Sequence, residues 1–190
     1  MLSANSQQLV LLDRDGVINQ DSDDYIRTLD EWHPIPGSIE AIARLSQEGY
    51  RVAVVTNQSG LSRGYFTLDT LEEIHARLCQ LVEEQGGAID GIFYCPHLPK
   101  EGCDCRKPAT GLIRAAEEEL GLSAQGAWLI GDSLKDLQAA RARGCQPALV
   151  RTGKGEETVA ALQSSNVDLE SPQDVPVFEN LAAAVDALLK

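Results

Sequence analysis

Asp13-Arg14-Asp15-Gly16 stands directly behind the apolar run Leu9-Val10-Leu11-Leu12. Two carboxylates two residues apart at a strand's end can share a divalent cation and divide a nucleophile's work from a proton carrier's. The same four residues also suit an acidic strand-end turn, because Asp and Gly are ordinary turn formers. The choice therefore depends on what else the fold brings there. Three further polar groups follow apolar runs. Thr56-Asn57-Gln58-Ser59-Gly60 follows Val52–Val55, Lys107 follows Ile89–Tyr94 and its loop, and Gly131-Asp132-Ser133 follows Trp128–Ile130. If these runs are parallel strands, all four groups gather at one sheet edge, where open α/β sheets collect ligands. A nucleophile, carboxylates for a cation, hydroxyl and amide donors and a fixed positive charge are what phosphoryl transfer requires.

A second cluster, Cys95-Pro96-His97 and Cys103-Asp104-Cys105, offers three thiols and one imidazole. In a reducing compartment such spacing reads as a metal site rather than a disulfide set. Three Cys and one His complete a tetrahedral Zn²⁺ shell with no open position for water, which makes it a structural clip. Arg106-Lys107 follows the last ligand at once, so zinc would fix the approach of two cations to the phosphate site. Cys79 and Cys145 stand alone in apolar or small-residue surroundings and read as buried packing residues. His75, mid-helix beside Ile74, is expected to be exposed, and His33, before Pro34, to be structural.

These groups need a scaffold. The apolar runs alternate with helical periodicity, which indicates βα units around a parallel sheet. Helices are expected from Ser38, as cap, to Gly49, over Asp69–Glu84, along the Leu112–Leu120 stripe closed by Gly121, over Ser133–Arg143, and over Leu181–Leu188. A fifth strand is expected at Ala148–Val150. The segments 19–36 and 153–173 lack a clear period, and the first is long enough to be functional. With 190 residues, 43% hydrophobic and 24% charged, the whole span 1–190 is expected to be one globular α/β domain. A net charge of −13 disfavours nucleic acid and anionic membranes as partners. Met1–Gln8 lacks the cationic start and apolar core of a signal peptide, and no apolar run reaches membrane-spanning length. A soluble, cytoplasmic protein acting as a monomer is expected.

The motifs Asp13-Arg14-Asp15-Gly16-Val17, Thr56-Asn57-Gln58-Ser59-Gly60, Lys107-Pro108 and Gly131-Asp132-Ser133-Leu134-Lys135-Asp136, in that order, resemble those of the haloacid dehalogenase superfamily of phosphatases. The resemblance implies a three-layer, Rossmann-like parallel sheet. Asp13 would attack phosphorus and form an aspartyl phosphate, while Asp15 would protonate the leaving oxygen and then deprotonate water. The carboxylates of Asp13 and Asp132, with the Asp15 carbonyl, would hold Mg²⁺, a set of hard oxygens that suits this ion. Thr56 and the amide of Asn57 would hold the phosphoryl group, and Lys107 would offset its charge. Asp136 either orients Lys107, as the family reading has it, or pairs with Ser133 in a helix cap.

Within the superfamily, Cys95–Pro108 resembles two groups, the D-glycero-D-manno-heptose 1,7-bisphosphate phosphatases and the histidinol-phosphate phosphatases. Ser59-Gly60 followed by Arg63-Gly64-Tyr65 resembles the heptose enzymes, and that likeness extends through Val150–Gly155. It implies removal of the C7 phosphate of the heptose bisphosphate, leaving heptose 1-phosphate for a surface-polysaccharide precursor. A bisphosphate needs charge for the phosphate that stays, and Arg14, Arg63, Arg106, Lys107, Arg151 and Lys154 all fall in expected loops. Arg63 and Arg106 are the expected contacts, since a guanidinium fork binds two phosphate oxygens. Asn57, Gln58 and Ser59 are expected to line the substrate, and Asp21 and Tyr25 match sugar-contacting positions of the heptose group. No segment reads as a large cap, so loops alone would cover the site. The rivals are histidinol-phosphate hydrolysis and a zinc-clipped binding protein without catalysis.

Overall fold

The computed structural model describes residues 8–164 and 166–190; apart from Gln8, the stretch expected to lack a leader lies outside the described residues. Strands β1 (Leu9–Leu12), β2 (Arg51–Asn57), β3 (Gly91–Cys95), β4 (Trp128–Gly131), β5 (Gln146–Val150) and β6 (Val177–Phe178) form one sheet ordered β3-β2-β1-β4-β5-β6. Every neighbouring pair is parallel. Between them run helices α1 (Ser38–Gln47), α2 (Leu68–Glu84), α3 (Gly111–Leu120), α4 (Leu134–Arg143), α5 (Gly155–Leu162) and α6 (Leu181–Leu188).

Alternate strand residues face opposite helix layers, as the two-residue pleat demands. Val10, Leu12, Val52 and Val54 pack with α1, α2 and α6. Leu9, Leu11, Ala53 and Val55 pack instead with Leu112, Ile113 and Ala116 of α3 and Ala139 and Ala140 of α4. Both faces of β1 are covered, which is why its sequence is unbroken apolar. The chain winds outward from β1 through β2 to β3, then returns to place β4 on the other side of β1. That reversal makes the carboxyl ends of β1 and β4 the topological switch point, where open sheets leave a crevice. Asp13 follows the first of these strands and Asp132 the second. A main-chain hydrogen bond from Asp13 N–H to Ile130 O, 3.0 Å, holds the two exits together.

Four expectations are corrected. The span 153–173 contains α5, whose only inward apolar residues, Val159 and Leu162, pack on Leu137, Leu149 and Val175; so narrow a stripe hides the helical period. Two residues of β6 extend the sheet beyond the five strands expected. Gly37, at φ +83°, caps α1, and Ser38 Oγ instead donates to Ile18 O at 2.6 Å. Cys79 is only half-buried, whereas Cys145 is buried as expected. No helix among the described residues is long and apolar enough to cross a membrane.

Candidate active site

Lys107 is almost wholly buried, and its Nζ reaches 2.9 Å from Asp13 Oδ1 and 2.6 Å from Asp136 Oδ1. Burial alone would strip its charge, yet the two carboxylates outweigh that and hold the ammonium above the usual lysine range. Asp136 serves both roles considered for it. Its Oδ1 takes Lys107, while its Oδ2 accepts from Ser133 N–H at 3.0 Å and from Ser133 Oγ at 2.6 Å at the start of α4.

Asp13, Asp132 and Asp136 bring one oxygen each to within 4.8 Å of one another. Burial, and then the charge of Asp136, push the Asp13 carboxyl up to about 7 against the pull of Lys107. Burial with Asp13 and Asp136 pushes Asp132 up to about 8. Three carboxylates facing one ammonium are short of positive charge, and a divalent cation supplies it. Both oxygens of Asp136 are occupied, so Asp13 and Asp132 are the carboxylates with acceptor capacity to spare. Asp132 is held by the Lys154 N–H to Oδ2 at 2.8 Å, and its carbonyl accepts from Thr158 Oγ1 at 2.8 Å. A Cβ at Gly16 (φ +81°) or Gly153 (φ +60°) would overlap Asp132 Oδ2. The glycine of the tetrad thus makes room for a carboxylate contributed more than a hundred residues later.

Asp15 is gripped by five side-chain donor bonds, one of them from Arg14 Nη2 to Oδ2 at 3.1 Å. Arg14 Nε and Nη2 reach its Oδ1 at 3.0 and 2.9 Å, Asn19 Nδ2 reaches Oδ1 at 2.9 Å, and Gln58 Nε2 reaches Oδ2 at 2.8 Å. Burial raises its pKa, but Arg14 and these hydrogen bonds together outweigh it and keep the carboxyl below its ordinary value. Gln58 Nε2 also donates to Thr56 Oγ1 at 2.9 Å. The Asn57 side chain is committed elsewhere: it exchanges two hydrogen bonds with the Lys107 main chain, 3.0 and 3.2 Å, and ties the end of β2 to the lysine loop.

In the cysteine loop, Cys95 Sγ lies 3.1 Å from Cys105 Sγ and 3.6 Å from Cys103 Sγ, while His97 Nδ1 lies 3.2 Å from Cys105 Sγ. These separations are close to the roughly 3.5–3.8 Å edges of a tetrahedral zinc shell. Arg106 Nη1 donates to the His97 carbonyl at 3.3 Å, so the loop that could hold the ion also steers the arginine.

A cleft of about 400 Å³ opens over Asp13, Asp15 and Asp132. Of the residues expected to meet substrate, Asp21, Tyr25, Thr56, Asn57, Gln58, Ser59 and Arg106 line it. Arg63 does not: it is exposed, with its guanidinium 5.9 Å from the Tyr25 ring. Tyr25 also meets Tyr65 edge-on at 5.0 Å. Arg14 is buried against Asp15, and Arg151 pairs with Glu156 and Glu179, so neither cation is available to the cleft. Lys135, not singled out in the sequence, lines the cleft beside Arg106 and Lys154. Partial burial and those neighbouring cations lower its hold on a proton. Its signal was faint, since it reads as an ordinary exposed helix lysine one turn from Asp132.

A buried aspartate–lysine pair, a second aspartate two residues on and a distal aspartate at the switch point of a parallel sheet define a haloacid dehalogenase-type hydrolase. Residues 10–74 match the family model described as haloacid dehalogenase-like hydrolase, and residues 104–184 match a HAD-hydrolase-like model. The chain belongs to the D-glycero-β-D-manno-heptose-1,7-bisphosphate 7-phosphatase family of phosphatases. It is 57% identical to the Pseudomonas aeruginosa enzyme of that name over 97% of this chain and 99% of the other. It is 49% identical to the Neisseria meningitidis one over 92% and 90%. A crystal structure of D,D-heptose 1,7-bisphosphate phosphatase from B. bronchiseptica, complexed with magnesium and phosphate, superposes with a TM-score of 0.89 at 45% identity over 96% of this chain and 98% of that one.

Proposed function

We propose that this chain hydrolyses the C7 phosphate of D-glycero-β-D-manno-heptose 1,7-bisphosphate through an aspartyl-phosphate intermediate. The observation that carries the chemistry is Asp13 held between Lys107 and Asp132 at the floor of the cleft, with Asp15 beside it. Asp13 Oδ attacks phosphorus as the bond from phosphorus to the sugar oxygen breaks, and Asp15 gives that oxygen its proton. The free site keeps Asp15 ionised; the approaching phosphoryl charge raises its proton affinity, and it takes up from solvent the proton that it then gives to the leaving oxygen. In the second half Asp15 takes the proton of a water as its oxygen attacks phosphorus, releasing phosphate and restoring Asp13. Thr56 and the Asn57 amide hold the phosphoryl oxygens, and Lys107 offsets their charge. The carboxylates of Asp13 and Asp132, with the Asp15 carbonyl, would hold Mg²⁺, which supplies charge neutralisation at the transferring phosphoryl group.

Arg106 and Lys135, on one side of the cleft, are suited to the phosphate that remains at C1. Histidinol phosphate has a single phosphate and leaves such cations without a partner, which favours the bisphosphate. The relatives named for the β anomer support that anomer here. Kinetics on both anomers and on histidinol phosphate test this. The β-bisphosphate is expected to lead histidinol phosphate in kcat/KM by at least about a hundredfold, less than buried unpaired groups would give because Arg106 and Lys135 are partly solvated. A preference for histidinol phosphate would overturn the substrate assignment. A monomer is the working form taken here, and a cluster of three thiols around His97 suits the reducing cytoplasm.

Zn²⁺ on Cys95, His97, Cys103 and Cys105 would act through Arg106 and Lys107. Cys103→Ala is expected to lose zinc by mass analysis and to lower kcat/KM by about ten- to a hundredfold, the usual size of an indirect metal-site effect. Full activity in zinc-free protein would sink this role.

A further inference from the structure

Arg14 sits between the two aspartates of the tetrad, yet it is 1% exposed and takes no part in lining the cleft. Its guanidinium faces Asp15 with Nε and Nη2, at 2.9 to 3.1 Å from the two carboxylate oxygens. The remaining nitrogen, Nη1, lies 3.2 Å from Nε2 of His75 on α2. Arginine can only donate, so His75 Nε2 must be the acceptor, with its proton on Nδ1. The histidine lies more inward than its sequence context implies. It packs between Arg14 and the Tyr94 ring, whose centroid is 6.0 Å away. Burial, with the Arg14 charge, pushes its pKa down to about 3, so the ring stays neutral and its acceptor stays available.

We propose that His75 is a positioning residue for proton transfer, fixing through Nε2 the Arg14 fork that sets the carboxylate of Asp15. The fork is anchored at both ends: Asn19 and Gln58 also hold the Asp15 carboxylate, while His75 ties the far side of the Arg14 guanidinium to the middle of a seventeen-residue helix. Small errors in the placing of a proton carrier slow turnover without weakening binding. This rests on Asp15 as the proton carrier.

The test compares wild-type protein, His75→Leu, His75→Gln and Asp15→Asn in kcat, KM and melting temperature on the heptose bisphosphate. Leucine keeps bulk and removes the acceptor, while glutamine can return one through Oε1. His75→Leu is expected to lose about tenfold in kcat with KM within about twofold, and His75→Gln to recover most of it. Should His75→Leu not fold, His75→Met is the second acceptor-free variant. A wild-type kcat in either acceptor-free variant, or equal losses in His75→Gln and His75→Leu, overturns the proposal while Asp15→Asn remains inactive. Wild-type turnover by Asp15→Asn would overturn the role of Asp15 itself and this proposal with it.

Discussion

Replacing Asp13 by asparagine is expected to lower kcat by about a thousandfold or more while leaving the protein folded. The amide keeps the shape of the carboxylate and can still accept from Lys107 Nζ, now 2.9 Å from Asp13 Oδ1, but it has no anionic oxygen to attack phosphorus. Stability should hold or rise at alkaline pH. Burial and Asp136 already push the Asp13 carboxyl up to about 7, so a neutral group is the form the site favours when no metal is bound. The separation of the two effects is what makes the variant informative. Loss of turnover at an unchanged melting temperature assigns the residue to chemistry. Acid-quenched wild-type protein given ³²P-labelled substrate should carry label that hydroxylamine releases, as an acyl phosphate does, and Asp13→Asn should carry none. Unchanged phosphatase activity in Asp13→Asn would refute the covalent route.

The sheet and the catalytic carboxylates were legible because their signals are local. Leu9–Leu12 is buried on both faces and therefore apolar at every position, and the Asp13, Thr56 and Asp132 motifs follow such runs directly, with Lys107 one loop further on. Asp136 was legible only as two alternatives, because one carboxylate has two oxygens and the sequence cannot say that both are used. Helix α5 and strand β6 escaped for a different reason. Helix α5 packs on a small satellite core at the sheet's edge, so few of its residues need to be apolar, and β6 is two residues long, with Val177 exposed and Phe178 packed against the main core. His75 was misread for a third reason. Histidine is found inside and outside alike, and the partner that draws this one inward, Arg14, lies sixty-one residues away. Arg63 was placed by its motif alone. It lies over Tyr25 at the edge of the cleft, while the cations that line the cleft itself are Arg106, Lys135 and Lys154.

The crowding of carboxylates that equips the site for a metal should also make the metal-free protein less stable as pH rises. Asp13 moves from an ordinary 3.8 up to about 7, and Asp132 from 3.8 up to about 8. A carboxyl whose folded-state value is raised keeps a proton that the unfolded chain has already released. The native state therefore binds more protons between about pH 4 and pH 8, and stability falls as pH rises through that window. In Mg²⁺-free buffer, with the zinc loop left loaded, the melting temperature is expected to drop from pH 5 to pH 8.5. Millimolar Mg²⁺ should restore more of it at pH 8.5 than at pH 5, because a cation binds carboxylates only once they are ionised. Lys107→Met enlarges the effect. At pH 8.5 it removes the ammonium shared by Asp13 and Asp136 and is expected to cost about 3 kcal/mol in denaturant unfolding, the usual price of breaking a buried ion pair. At pH 5 protonation of Asp13 relieves part of that repulsion and the deficit should shrink. A deficit independent of pH would mean that lost packing of the lysine stem, rather than lost charge, sets the cost. The lysine and the metal are then two cations answering one excess of negative charge, and Mg²⁺ should recover more stability in Lys107→Met than in the wild-type protein.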